Sequence, residues 1–452
     1  MKEGEKVENY QIIMTIGSFA VMMLLIFWRP KGLNETIFAT SGAAIIITIG
    51  VVTMEDLVEI AMKVGGASLT IVATFMMALV LESVGFFHWI ALFLVEKAKY
   101  SGVRLFFYTN ALCFFMTLFF NNDGSIIITT PILLLLLNRL RLKKHEKFPY
   151  LISGALIATA SSAPIGVSNM VNLISLKMIE MDLYKQTAMM FVPTTLGLLF
   201  LFGSLFLLFY KNIPKKLPPL NHTLHLKHPL DHPLKSNTYV NIPRKSILFI
   251  LIFIFIVRIS LFITSYIGFP IEFVAMASSL FLIGWRWYVF KIRPYDVLVK
   301  APWHILVFAF SMYVVVYGLN RIGLTDHLSN ILGIYVGSNS LHSSLAMGSL
   351  LSVLSNVLNN HPALMIGTLT LTQIHLPSQI IEISYLASII GSDIGSLLLP
   401  IGTLATLLWM HILDKHKYKM TWMEYVKVTF IVIPPTVIVT LTMLHYWILF
   451  MF

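Results

Sequence analysis

The chain has 452 residues, a formal net charge of +11 and one cysteine. It is 57% hydrophobic and 12% charged, with a mean hydropathy of +0.82, which excludes an ordinary soluble domain. The single Cys113 excludes an intrachain disulfide and a multi-thiolate metal site. The basic excess sits in short loops between apolar blocks, which points to membrane orientation and away from nucleic acid.

In chain order, apolar blocks long enough to cross a bilayer are expected at 12–28, 34–52 and 68–88. A polar-tipped segment follows at 104–138, then blocks at 150–180, 191–210, 246–266, 271–290 and 303–319. A second polar-tipped segment covers 341–374, before 382–412 and 425–447. No strand-like alternation is present, and only backbone-satisfied elements span lipid, so the fold class is an all-α polytopic membrane protein. The first block, Gln11–Trp28, lacks a small-residue cleavage site and is expected to be a retained span.

The two halves match. Asn121 and Asn359 stand 238 residues apart, as do Gly85 and Gly323. Asp56-Leu57-Val58 matches Asp296-Val297-Leu298, and Pro193 matches Pro434. The expected domains are a first repeat (1–210), a basic cytoplasmic linker (211–245) and a second repeat (246–452). The linker carries His222, His225, His228 and His232 among Pro218, Pro219, Pro229 and Pro233. It reads as a solvated connector, with metal sensing the alternative.

Equivalent loops carry opposite charge bias. Arg139, Arg141, Lys143, Lys144 and Lys147 fall in one loop, and its counterpart Leu371–Glu382 has no Lys or Arg. Lys415, Lys417 and Lys419 follow the span at 382–412, whereas the matching first-half stretch offsets Lys177 and Lys185 with Glu180 and Asp182. That is the pattern of an inverted-topology repeat. If the polar-tipped segments are re-entrant hairpins, each half has five crossings, giving about ten spans and two hairpins. Basic loops then fall inside and both termini outside. Twelve full spans give the same loop sides, and the polar tips favour hairpins.

Four elements place polar or helix-breaking residues at depth. Two are the tips, Asn121-Asn122-Asp123-Gly124 and Asn359-Asn360-His361-Pro362. Two are helices expected to break at the midplane, around Pro164-Ile165-Gly166-Val167-Ser168-Asn169 and Gly391-Ser392-Asp393-Ile394-Gly395 through Pro400 to Thr403. Broken helices offer free backbone groups to a polar solute. Candidate solute ligands are Asn121, Asn122, Ser168, Asn169, Asn359, Asn360 and Thr403. Candidate proton carriers are Asp123, Asp393 and Glu82, since desolvation favours the neutral form a carrier must reach. Asp123 also reads as a cap on a helix starting at Gly124, and Glu82 as a buried hydrogen-bonded contact. His361 reads either as a titrating group or as a donor fixing the loop. Arg258, mid-span, is expected to have a structural partner, with Glu272 the candidate. Cys113 reads as packing. No GxxxxGK[ST] motif is present, so this chain itself hydrolyses no ATP, and it is not read as an enzyme. No cofactor and no resident metal are expected.

The stretches FFNNDGSIIITTPILLLLL, VSNMVNLIS, SNVLNNHPALMIGTLTL, GSDIGSLLLPIGTLATLLWMHIL and LVLESVGFFHWIAL resemble the bacterial arsenite/antimonite efflux permeases, the arsenical pump membrane proteins. The likeness covers most of the chain apart from the linker and termini. Asn121 and the Asn-Asn-His-Pro tip depart from the family pattern. The resemblance implies a bacterial cell-membrane transporter that exports arsenite and antimonite in exchange for protons and gives metalloid resistance. It implies, for some members, a soluble arsenite-stimulated ATPase partner. The wider superfamily, which includes sodium/proton antiporters and dicarboxylate carriers, implies a scaffold domain (12–88 and 246–319) and a transport domain that moves as an elevator. Arsenite at neutral pH is essentially uncharged As(OH)3, and Asn, Ser, Thr and freed backbone suit a neutral polyhydroxy solute. No Lys or Arg stands at the four breaks, and one cysteine excludes a tris-thiolate arsenic site. A sodium/proton antiporter, or a channel-like subunit driven by an ATPase, is the alternative.

Overall fold

Two runs of helices, joined by the linker, follow the same order. The computed structural model describes residues 8–218, 244–337 and 339–451. The linker histidines therefore lie outside the described residues. The first run is α1 (Asn9–Trp28), α2 (Glu35–Thr48), α3 (Met54–Ser83), α4 (Phe86–Ala98), α5 (Gly102–Phe119), α6 (Asn122–Arg139), α7 (Lys144–Ala160), α8 (Met170–Met178) and α9 (Leu183–Phe209). The second is α10 (Arg244–Tyr266), α11 (Ile271–Phe290), α12 (Tyr295–Lys300), α13 (His304–Arg321), α14 (Leu324–Tyr335), α15 (Ser340–Leu358), α16 (Asn360–Gln373), α17 (Ser378–Asp393), α18 (Leu404–Lys415) and α19 (Trp422–Met451). No strand occurs among the described residues. Ten of the helical stretches are long and apolar enough to cross a membrane, and the chain is a multi-pass membrane protein.

Those ten are not the ten crossings expected from sequence. They include α5 and α15, the first arms of the two hairpins, and leave out the 14-residue α2 and the broken α7–α8. The third block starts earlier than expected, at Met54, because Thr53 and Asp56 form a reciprocal capping box. At 30 residues, α3 is about 45 Å long, more than the ~30 Å hydrocarbon core. Glu82 lies in the last turn of α3. Helices α4 and α14 were not expected as separate elements. Gly85 (φ 76°) and Gly323 (φ 85°), the matched glycines, start them in the left-handed region that a side chain resists.

Both hairpins turn without a loop. At the first tip, Phe120 and Asn121 alone separate α5 from α6; at the second, Asn359 alone separates α15 from α16. Every residue of α7 from Pro149 and of α17 from Ile383 is buried, which explains the small and apolar residues that dominate both stretches. Gly391 permits this at α17. A Cβ there would lie 2.3 Å from the Gly348 carbonyl oxygen of α15. The long helices α9 and α19 pack on each other, Gly197 leaving room for Thr440, the small-residue contact that membrane helices favour. They continue through Pro193 and Pro434-Pro435, and Thr194 and Thr436 hydroxyls donate to carbonyls one turn back.

Charge separates the two ends of the bundle. The loops at 99–102, 139–147, 211–217 and 415–424 meet at one end. Tyr418 donates to the Lys144 carbonyl at 3.1 Å, Lys144 faces Glu424 at 3.6 Å, and the Leu217 N–H donates to the Tyr100 carbonyl at 2.7 Å. At the other end Lys63, Lys177, Lys185 and Arg321 each face an acid: Glu59, Glu272, Glu382 and Asp56. One end is thus basic in excess, and at the other the cations are paired.

Candidate functional site

The site is made by helix beginnings. Helices α6, α8, α16 and α18 start at Asn121, Asn169, Asn359 and Thr403, and in each the side chain accepts a backbone N–H of the first turn. The acceptor distances are 2.5 Å from Gly124, 3.3 Å from Val171, 3.3 Å from His361 and 3.0 Å from Thr406. These residues prefer the N-cap because a short polar side chain satisfies a donor the helix leaves open. The helix after the first tip begins at Asn122 with Asn121 as its cap, so Asp123 is not the cap but a first-turn residue. There a carboxylate complements the positive end of the helix dipole.

A cavity of about 540 Å3 lies over these beginnings. Asn121, Asn122 and Asp123 line it from the first tip and His361 from the second; Met170 and Leu404 mark the starts of α8 and α18. The opposite wall is α3, through Ile71, Phe75, Leu79 and Glu82, with Phe308 of α13. The mouth is formed by residues 29–35 and 299–305, where the Arg29 guanidinium donates to Glu35 at 2.5 Å. Asp123 and Glu82, two expected carriers, therefore share one cavity. His361 stacks edge-on against Phe308, ring centroids 5.8 Å apart, with Nδ1 3.1 Å from Asn360 Oδ1.

The remaining expected site residues are buried outside the cavity lining. Asp393, 1% exposed, accepts three hydrogen bonds from the other repeat: from Asn169 Nδ2 at 2.9 Å, Ser162 Oγ at 2.8 Å and Asn172 Nδ2 at 2.8 Å. Three neutral donors and no cation hold this carboxylate. Asn169 is used at both ends, its Oδ1 as a cap and its Nδ2 on Asp393. Asn359 likewise caps α16 and donates from Nδ2 to the Ile401 carbonyl at 3.1 Å. Ser168 Oγ is buried without a partner, and Asn360 and Thr403 are buried beside the tips they start.

Sequence reasoning missed one residue and gave another the wrong partner. Asn356 braces the second break, donating from Nδ2 to the Gly395 carbonyl at 2.8 Å and accepting from Leu399 N–H at 2.7 Å. A lone Asn three residues before the tip was the available signal. Arg258 does not pair with Glu272. Its Nε donates to the Phe119 carbonyl at 2.8 Å, and its Nη2 to the carbonyls of Phe119 and Phe120. Glu272 faces Lys177 instead, at 3.5 Å. The expected partner was an acid on the next helix, whereas the carbonyls lie 139 and 138 residues away. Cys113 is fully buried, as expected of a packing residue. No group of three or more metal-ligating side chains forms among the described residues.

Ten membrane-competent helices, two tight hairpins and two broken helices around one cavity that carries Asn121, Asn122, Asp123, Glu82 and His361 define a helical membrane transport protein. The crystal structure of the Alcanivorax borkumensis YdaH transporter, titled as revealing an unusual topology, has the same fold: TM-score 0.55 over 95% of this chain and 98% of that one, at 12% identity. The family model for the arsenical pump membrane protein matches residues 14–448. The chain belongs to that family. It is 56% identical to a putative arsenical pump membrane protein of Bacillus subtilis over 440 residues, 96% of this chain and 99% of the relative. It is 30% identical to an arsenical pump membrane protein of Escherichia coli, over 94% and 96%. With this family and its multi-pass helices, the protein belongs in the bacterial plasma membrane.

Proposed function

We propose that the protein is a secondary transporter that exports arsenite, and antimonite with it, as neutral trihydroxides in exchange for protons. The observation that carries this reading is the cavity in which Asp123 stands beside four capped helix beginnings. Trihydroxides offer oxygen lone pairs and O–H donors, which suits amides, a carboxylate and helix N-termini. The polar tips hold neither Lys nor Arg, so nothing there demands a fixed anion. Asn121 and Asn122 are the solute contacts most directly on the cavity, with Asn360, Ser168, Asn169, Asn359 and Thr403 behind them shaping the backbone. Asp123 carries the proton, and Glu82 faces it from the α3 wall of the same cavity as a relay. Asp393, held by three donors, ties the two broken helices together and is the second proton carrier.

The two helix runs form an inverted repeat with domains 1–210 and 246–452 about the 211–245 linker. The basic end is cytoplasmic by the positive-inside rule, so the cavity opens inward. Helices α1–α4 and α10–α14 form the scaffold, and the hairpins, broken helices, α9 and α19 move against it. The basic loops at 139–147 and 415–419 give a soluble ATPase a surface to dock on.

The test is arsenite uptake into everted vesicles under a proton gradient, wild type beside Asp123→Asn. Wild type accumulates arsenite, and Asp123→Asn falls to the level of empty vesicles while still inserted in the membrane. Sodium-dependent collapse of the proton gradient with no arsenite uptake would falsify the arsenite reading and assign a cation/proton antiporter.

A further inference from the structure

We infer that Arg258 is the positioning residue of the first hairpin tip: it clamps the tip to α10 while the cavity is open, and the clamp must release for solute to cross. The inference rests on the transporter reading, since it supposes that the hairpin moves against α10.

Arg258 is 5% exposed in the middle of a membrane-competent helix. A guanidinium is costly there and is retained where it has work to do. Among the described residues its hydrogen-bond partners are the Phe119 and Phe120 carbonyls. These are the last carbonyls of α5, which have no acceptor role within their own helix, and a cation at a helix C-terminus complements the dipole. A ring contact between Phe119 and Phe255, centroids 6.3 Å apart, backs the same junction. The next residues are Asn121, Asn122 and Asp123, so fixing Phe119 and Phe120 fixes where α6 begins and where Asp123 stands.

Two observations make this a clamp and not a permanent strut. Arg258 Nη1 is buried without a partner, so the guanidinium is not saturated. And the grip exists at one tip only. The stretch of α1 equivalent to Arg258, Gly17-Ser18-Phe19-Ala20, holds no basic residue, and the second tip is tied from within its own repeat, Asn359 to Ile401. A contact present in one repeat and absent from the other favours one of the two states that exchanging the repeats would produce. Here that is the state with the cavity open over the first tip.

The experiment places a single cysteine, Ile305→Cys, at the cavity mouth with Cys113→Ala removing the native thiol. Everted vesicles are labelled with a membrane-impermeant maleimide, and arsenite transport is measured alongside. With Arg258→Leu, labelling slows several-fold as the open state is depleted, and transport falls at least about tenfold (1.4 kcal/mol at 25 °C). Arg258→Lys, which keeps the charge but not the two-carbonyl reach, falls between. Labelling that matches wild type in both variants overturns the clamp. If Arg258→Leu fails to insert, Arg258→Lys decides on the same criterion: intermediate labelling supports the clamp and wild-type labelling overturns it. Labelling needs no cargo, so a wild type that ignores arsenite sinks the proposed substrate and leaves this reading to be judged separately.

Discussion

The two hairpin tips are built alike and equipped differently. In each, an asparagine caps the second helix, Asn121 at one and Asn359 at the other, and a second asparagine follows. The third position differs: Asp123 in the first tip, His361 in the second, and both reach the same cavity. Glycine follows the first and proline the second. The first tip is held from outside by Arg258, the second from within by Asn359 and Ile401. The same capped frame therefore carries an acid on the clamped tip and an imidazole on the self-tied one. The shared caps supply the geometry, and the difference at one position supplies the chemistry.

The largest effect that separates the tips is expected at their third positions. Asp123→Asn abolishes proton-driven uptake, whereas His361→Gln keeps a hydrogen-bonding side chain against Asn360 and slows uptake only several-fold in the same vesicles. Equal losses at both positions would erase the distinction between the tips. Next comes Asp393→Asn. An amide nitrogen facing Ser162, Asn169 or Asn172 leaves a buried donor without an acceptor, at a cost of about 1–3 kcal/mol. The purified protein therefore melts earlier in detergent, while transport per inserted molecule falls less than in Asp123→Asn. A melting temperature unchanged with transport abolished would move the carrier role from Asp123 to Asp393. The smallest effects are the caps. Asn359→Ala costs about 1 kcal/mol for the cap and also frees the Ile401 carbonyl, so it destabilises more than Asn121→Ala, whose tip Arg258 still holds. Thermal melts of the two variants read the order directly.

Much of the site was legible before the fold. Asn121, Asn122 and Asp123 stood out because amides and a carboxylate interrupting an apolar run are expensive in lipid, and that cost marked all four breaks. Glu82 was legible as an unusual acid, but not that α3 begins at Met54 and carries it to the wall of the cavity. Helices α4 and α14 were invisible as separate elements, since at 13 and 12 residues they are too short to cross a bilayer and fall largely between the expected blocks. The role of Asn169 was half-read: its polarity showed, its service as cap and as Asp393 donor did not.

The sequence by itself determined the class of protein and the four places where helices stop, because hydropathy, charge in loops, proline, glycine and capping residues act over short distances along the chain. Only the tertiary structure decided which of the marked residues meet. Asp123, Glu82 and His361 share a cavity, Asp393 is tied to Ser162, Asn169 and Asn172, and Arg258 finds two carbonyls 138 and 139 residues away. The physical reason is that these partners are chosen by helix packing across the two repeats, and a hydrogen bond between distant helices leaves no periodic trace in the chain.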